Sequence, residues 1–521
     1  MRSRREESEK WREVEKEGKE KRERKRKKEK KEERALEKGK GEGKEKEQEH
    51  LEEEKRKSEI ADVIASLRRI LDNPLTRYVL KYISKGDTLE KAIAIYAGTE
   101  RNTCVRCQFH SFLLGTALKY GARKLDIDER EMIEYFKDRS VQRGLANVIR
   151  GIAEYGITKP QRLHAPFLVV WNYTKACNLK CKHCYANAGR IAEDELTTEE
   201  RKRVVEELSD AGVAAISFSG GEPLMRKDFF EIAKLAASKY MFVSVATNGT
   251  LITKEVAEKM KECGVKYVEV SIDGPKEVHD AVRGVEGAFE RAIEGVKNCK
   301  EAGIMTGIAM TVMRSNMKYV PEMVDLAEEI GADRFVAFNF IPVGAGAEAA
   351  KEDLSVEERE EVLRYLYERM LRGKIEVFCT APEYARVALE EALGREGAKV
   401  PASHFGAFTY KAVALTDFIG GCGAGRLYCS IEHNGDIQPC VFMPLKVGNV
   451  LKDGFLNVWH HSNVLELLRD REKLKGACGS CEYKYVCGGC RSRAYAYYGD
   501  FLAPDPGCIL AANEQGKHEK R

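Results

Sequence analysis

The chain has 521 residues, 88 Lys/Arg against 84 Asp/Glu, a net charge of +4 and 16 cysteines. That length implies two to four domains, and with no run of about 18 apolar residues a transmembrane helix is not expected. Residues 1–57 hold 24 Lys/Arg and 19 Glu, so they carry +5 and the remaining residues −1. The excess basicity lies in the tail, and nucleic-acid binding by the folded part loses its support.

Residues 1–57 read as a charged tail, disordered or a solvated single helix, with no apolar signal-peptide core. Without an export signal, so many cysteines point to metal ligation rather than disulfides, and to a reducing, anaerobic cytoplasm. From Ser58 apolar residues recur at three- and four-residue steps. They predict a helical N-terminal domain over 58–160, with helices near Thr76–Ser84, Thr88–Tyr96, Cys107–Tyr120 and Glu129–Ile157. Within it, Cys104 and Cys107, with His110 beyond, read first as packing cysteines and second as a metal or redox pair.

From 165 to 345 strand and helix alternate. The predicted strands are Phe167–Asn172, Ala214–Ser219, Phe242–Thr247, Tyr267–Ile272, Thr306–Val312 and Arg334–Asn339. Alternation with crossover helices implies a parallel sheet. The expected fold class is α/β: a partial (β/α)6 TIM-type barrel, an N-terminal helical domain and a C-terminal cysteine-rich iron–sulfur domain. Residues 346–420 form a bridging segment, helical over Val356–Leu371 and Pro382–Leu393, with His404 in a loop. The cysteine-rich domain spans 421–510 and a polar tail 511–521. Cys263, Cys299 and Cys379 read as small core residues.

The chemistry-bearing residues fall at the strands' C-terminal ends, where barrels of this type build their sites. After the first strand, Cys177, Cys181 and Cys184 offer three thiolates to one point. Soft thiolates suit an iron–sulfur cluster, and three leave one iron of a cubane free. A structural zinc site or unrelated buried cysteines are the alternatives. After the second strand comes Gly220-Gly221-Glu222-Pro223, with glycines that permit close backbone approach and a carboxylate for a cationic group. Asn248 follows the third strand, and Ser271 and Asp273 end the fourth. These are candidates for ribose or carboxylate contacts, or simply turn formers.

The C-x3-C-x2-C loop followed by Gly-Gly-Glu-Pro resembles the radical S-adenosylmethionine enzymes, with His183 where that family usually has an aromatic residue. The resemblance implies that the open iron chelates S-adenosylmethionine. An electron from the cluster then cleaves it to methionine and a 5′-deoxyadenosyl radical. It further implies that Glu222 holds the amino group of S-adenosylmethionine, Arg283 its carboxylate and Ile341 its adenine.

The C-terminal cysteines Cys422, Cys429, Cys440, Cys478, Cys481, Cys487, Cys490 and Cys508 number eight, as two cubanes or a pair of zinc ribbons require. Their spacing resembles the SPASM extension of the same family, except that two residues rather than three separate Cys487 from Cys490. The resemblance implies a first auxiliary [4Fe-4S] cluster on Cys422, Cys429, Cys440 and Cys490. A second falls to Cys478, Cys481, Cys487 and Cys508, giving three [4Fe-4S] clusters in all. It also implies a reducing partner such as ferredoxin or flavodoxin.

Among SPASM enzymes two substrate classes compete, tetrapyrroles and peptides or other maturation precursors. Val441 stands where sulfatase maturases carry aspartate, which disfavours formylglycine formation. The stretch Cys487–Tyr497 is more similar to the heme-type subgroup, with Arg491 and Arg493 read equally as contacts for propionates or as exposed structural charges. A non-catalytic iron–sulfur scaffold or electron carrier is the reading of another class.

Overall fold

The computed structural model describes residues 65–66, 68–69, 71–101, 104–124, 128–392, 399–403, 406–409 and 416–512. The charged tail, most of the first predicted helix, His404 and residues 513–521 lie outside them. Six predicted strands appear nearly where expected: β1 (Leu168–Thr174), β2 (Ala215–Gly220), β3 (Phe242–Thr247), β4 (Val265–Ser271), β5 (Met305–Val312) and β6 (Arg334–Asn339). They run parallel in sequential order. Their crossover helices are Thr198–Asp210, Phe229–Ser238, Lys254–Glu262, Ala288–Glu301 and Val320–Glu329.

The sheet is wider than the six-unit expectation. β7 (Glu376–Cys379) adds a parallel strand beside β6. β8 (Lys399–Ser403) and β9 (Gly406–Thr409) form a separate hairpin. On the other flank β10 (Tyr428–Ile431) pairs parallel with β1, and β11 (Asp436–Gln438) and β12 (Gly448–Asn449) continue antiparallel. These strands have two to five residues, too short for an alternating pattern to stand out. The bridging segment and the cysteine-rich region thus contribute to one ten-stranded sheet.

Strand alternation separates two faces. Val169, Ile216, Val243, Val268, Ile308 and Phe335 are fully buried in the main core. Each such side chain contributes about 1.5–3 kcal/mol on burial. The opposite face borders a cavity of about 1000 Å³. In the N-terminal region the predicted Glu129–Ile157 helix is two helices, Glu129–Tyr135 and Arg139–Tyr155. The break falls at Asp138, whose carboxylate accepts the Ser140 amide (2.8 Å) and so starts a new helix. Glu131, Glu134 and Tyr135 border the cavity near the N-terminal ends of the strands.

Candidate functional site

The three-cysteine loop leaves β1 and is tied down by its backbone and by Asn178, whose Nδ2 donates to Thr250 Oγ1 at 2.8 Å. Cys177 N–H donates to Gly189 O (3.1 Å), and Lys180 and Lys182 N–H donate to Arg283 O and Val282 O (both 3.0 Å). The loop therefore rests on the end of helix Lys276–Arg283. All three cysteines are half-buried and border the cavity. Burial pushes the Cys177 thiol up to about 11. Burial raises Cys181 too, while Arg283, with Nη1 3.6 Å from its Sγ, draws it back.

The Gly-Gly-Glu-Pro turn is built against this loop. Gly220 has φ +113°, and a Cβ there would lie 2.8 Å from Thr174 O. A Cβ on Gly221 would collide with Ala176 O, to which the Glu222 amide donates at 2.7 Å. The close approach that requires glycine is thus to the cysteine loop's own backbone; both glycines also border the cavity. Glu222 is fully buried, and its carboxylate accepts from Thr247 Oγ1 (2.8 Å), Asn248 N (2.9 Å) and Leu224 N (3.2 Å). These three protein donors tie β2 to β3 through this carboxylate. Asn248 borders the cavity while its Nδ2 donates to Asn178 Oδ1 (2.8 Å). Ser271 also borders the cavity, at the end of β4.

Asp273 sits in a network of protein contacts. It is fully buried, forms an ion pair with Arg283 (Nε to Oδ2, 2.8 Å) and accepts the Thr311 amide at 2.9 Å. Burial raises its carboxyl, but Arg283, His183 and His279 outweigh that and hold it below the ordinary value. Asp273 therefore aims the Arg283 guanidinium, which borders the cavity. His183 lies 3.6 Å from the same carboxylate, and burial pushes its imidazole down to about 4. Ile341 borders the cavity and packs with Val343 and Cys490.

Several cavity residues were not singled out from the sequence. Tyr185 follows the third cysteine; its hydroxyl donates to Asn172 Oδ1 (2.9 Å) and lies 3.0 Å from Ser219 Oγ. In β4, Tyr267, Glu269 and Ser271 recur at every second position and all border the cavity. That polar alternation in an otherwise apolar strand was the available signal. Burial pushes Glu269 up to about 7, with Tyr267 Oη donating to it at 3.3 Å. Cys379, read as a core residue, is buried and also borders the cavity.

The C-terminal cysteines form two neighbourhoods. Cys422, Cys440 and Cys490 border the cavity, whereas Cys429 does not. Cys478 Sγ accepts from Asp505 N (3.3 Å) and Arg491 Nη2 (3.4 Å), and burial together with the charges of Cys508 and Cys478 raises the Cys487 thiol. The missing residue between Cys487 and Cys490 is absorbed by Gly488 and Gly489, both at positive φ; a Cβ on Gly489 would lie 2.9 Å from Cys478 Sγ. Arg491 and Arg493 are fully buried and do not border the cavity. Arg493 pairs with Glu383 and Asp505, and Arg491 donates to Phe501 O and Ala503 O. The expectation that they meet propionates is overturned, because both are committed to holding the cysteine field together.

Two observations test whether these residues fit iron–sulfur clusters. Arg471 is fully buried, donates Nη2 to Cys422 O (2.8 Å), and leaves Nε and Nη1 without protein partners beside Cys487 and Cys478. No carboxylate pairs with it among the described residues. A buried guanidinium without an anion costs several kcal/mol, and an anionic cluster supplies the missing charge. Second, among the described residues the only three His, Cys, Asp or Glu ligand atoms within 4.8 Å of one another belong to Glu154, His164 and His460. The cysteine sets are chemically another matter: soft thiolates in groups of three and four suit an iron–sulfur cluster. The Glu154 group is a hydrogen-bonded joint: His164 Nδ1 lies 2.6 Å from Glu154 Oε1 and His460 Nε2 2.7 Å from His164 O.

Cys104 and Cys107 correct the packing reading, since Cys104 is exposed and the two sulfurs lie 3.2 Å apart at the start of helix Val105–Lys124.

Comparison with known proteins gives this architecture a family. A model of the radical SAM superfamily matches residues 171–327, and one of the SPASM iron-sulfur cluster-binding domain matches 422–482. The chain is 39% identical over 349 residues to an AdoMet-dependent heme synthase of Methanosarcina barkeri, covering 66% of this chain and 97% of that protein. It is 33% identical over 354 residues to the mycofactocin maturase MftC of Mycolicibacterium smegmatis, covering 67% and 83%. The fold resembles Streptococcus suis SuiB bound to precursor peptide SuiA, with TM-score 0.58, 19% identity and 81% and 92% of the two chains covered. No described helix is long and apolar enough to cross a membrane. With [4Fe-4S] clusters and S-adenosylmethionine as the cofactors that its two domains imply, the chain belongs to the radical SAM enzymes that carry a SPASM domain.

Proposed function

We propose that this enzyme modifies a tetrapyrrole side chain in a heme-type pathway by hydrogen abstraction. The observation that carries the reading is the 39% identity to a heme synthase over nearly that protein's whole length. A cavity of about 1000 Å³ with apolar walls at Val170, Val245, Val336, Phe338 and Ile341 suits a large, mostly apolar substrate. Arg491 and Arg493 lend no support, being turned away from it.

Cys177, Cys181 and Cys184 hold the catalytic cluster, and Gly220, Gly221, Asn248, Ser271, Arg283 and Ile341 line the place for S-adenosylmethionine. Together these cofactors supply reductive cleavage of a sulfonium and the radical chemistry that follows. Arg283, fixed by Asp273, offers a guanidinium fork to a carboxylate. Glu222 keeps the turn against the cysteine loop. The apolar wall excludes water that would divert the reaction. The second auxiliary cluster sits on Cys478, Cys481, Cys487 and Cys508, and a ferredoxin- or flavodoxin-type donor supplies electrons.

The test is anaerobic incubation of the reconstituted enzyme with S-adenosylmethionine, a low-potential reductant and siroheme-derived tetrapyrroles bearing propionates. Mass spectrometry should show loss of a carboxyl group matched by 5′-deoxyadenosine. An unchanged tetrapyrrole beside a modified peptide from the same gene neighbourhood would favour peptide maturation, the second reading supported by the identity to MftC.

A further inference from the structure

The register of β10 against β1 divides the eight C-terminal cysteines differently from their spacing. Tyr428 lies beside Leu168 and Ser430 beside Val170. Leu168, Val170 and Tyr428 all border the cavity. Cys429 lies between them, beside Val169, and so projects from the opposite face of the sheet. There it is fully buried beside Val169 and Ile431, in an apolar cluster that Cys422 and Cys440 join from the cavity side.

Cys422, Cys440 and Cys490 behave otherwise. All three border the cavity. Tyr428 donates its hydroxyl to Cys440 Sγ at 3.2 Å. Three of the four expected ligands thus border the cavity, and the fourth lies on the other face of β10.

We infer that the first auxiliary cluster is held by Cys422, Cys440 and Cys490 alone. Its fourth iron, free of cysteine, is a docking point where a carboxylate or another lone-pair donor of the substrate binds. A cubane has one ligand position per iron, so three cysteines leave one position for an outside donor. Cys429 becomes a core residue with no part in ligation. The inference rests on the reading of this region as a twin-cluster domain. It adds that substrate is anchored by metal at the wall of the cavity.

The experiment compares full-length proteins purified and reconstituted without oxygen. Cys429→Ala should keep the iron content of the unsubstituted chain, about twelve per polypeptide, whereas Cys440→Ala should lose about four. Cys429→Val, which fills the space left by alanine, serves where the alanine variant folds poorly, and should also keep its iron. Equal iron loss in the Cys429 and Cys440 variants overturns the assignment while leaving the twin-cluster reading intact. A chain with no auxiliary iron at all overturns both. The open position is read in a chain with Cys177, Cys181 and Cys184 all replaced by alanine, so that only auxiliary clusters remain. Added cyanide should shift the electron paramagnetic resonance spectrum of the reduced protein, and Cys440→Ala on that background should abolish the shift. An unchanged spectrum overturns the open iron, including the case in which Cys379 fills the corner.

Discussion

The two cysteine regions solve opposite problems with the same side chain. The loop at Cys177–Cys184 is half-buried and borders the cavity, and its nearby guanidinium, Arg283, already has Asp273 as counter-ion. The C-terminal field is mostly buried and contains arginines with no protein anion. Arg471 is one; Arg426 is another, fully buried, with Nη2 on Ile419 O and Gly420 O and its other nitrogens unpartnered. Burial, reinforced by Arg471, pushes Arg426 down to about 9. The barrel completes its charge balance from its own residues, whereas the C-terminal field requires a bound anion. The first arrangement lets a small molecule come and go; the second makes the cofactor part of the core.

The largest test of that contrast is Cys181→Ala. It should abolish 5′-deoxyadenosine formation, measured chromatographically, while about eight of about twelve irons remain. Loss of all iron would mean that the regions are not independent. Next, stripping iron from the intact protein with an anaerobic chelator should expose 416–512 to protease well before the barrel, because Arg426 and Arg471 are then left as bare buried cations. Uniform digestion would erase the distinction.

A smaller effect is expected from Asp273→Asn, which removes the anion that aims Arg283. A loss of about 10–100-fold in apparent S-adenosylmethionine affinity should follow, as for residues that orient a ligand's contacts. Isothermal titration measures it, and unchanged affinity would show that Arg283 needs no such support. The smallest effect concerns Glu269, whose pKa rises from 4.5 to about 7 on burial. The folded state then holds a proton that the unfolded chain releases. Stability is full below about pH 4.5, falls as pH rises towards 7, and levels off above it. Glu269→Gln should flatten that slope and recover up to about 3 kcal/mol near neutral pH, read from denaturant midpoints. An unaltered slope would place the titrating group elsewhere.

Much of the barrel was legible because its strands carry six to eight residues and alternate with amphipathic helices. The cysteine loop was legible because its three ligands come from one stretch of eight residues, where spacing alone constrains geometry. Elsewhere the sequence misled for identifiable reasons. Glu222 and Asp273 occur at strand ends like ligand-binding residues, but only the fold reveals the protein partners their carboxylates hold: Thr247 Oγ1 and the Asn248 amide for Glu222, Arg283 for Asp273. Cys429 counts as a ligand by resemblance, and the strand that sets the face it occupies is too short to recognise in the sequence. Arg491 and Arg493 follow Cys490 as exposed charges would, yet they start a helix whose first residues are buried.

The pairing of β10 with β1 also bears on how the chain is made. Leu168 meets its partner Tyr428 only 260 residues later. At a synthesis rate of roughly 5–20 residues per second, one edge of the nascent barrel stays bare for roughly 13 to 52 seconds on the ribosome. An unpaired strand edge is a template for wrong partners during that interval. Truncation before residue 428 should therefore yield aggregates rather than a soluble barrel, whatever its cofactor content.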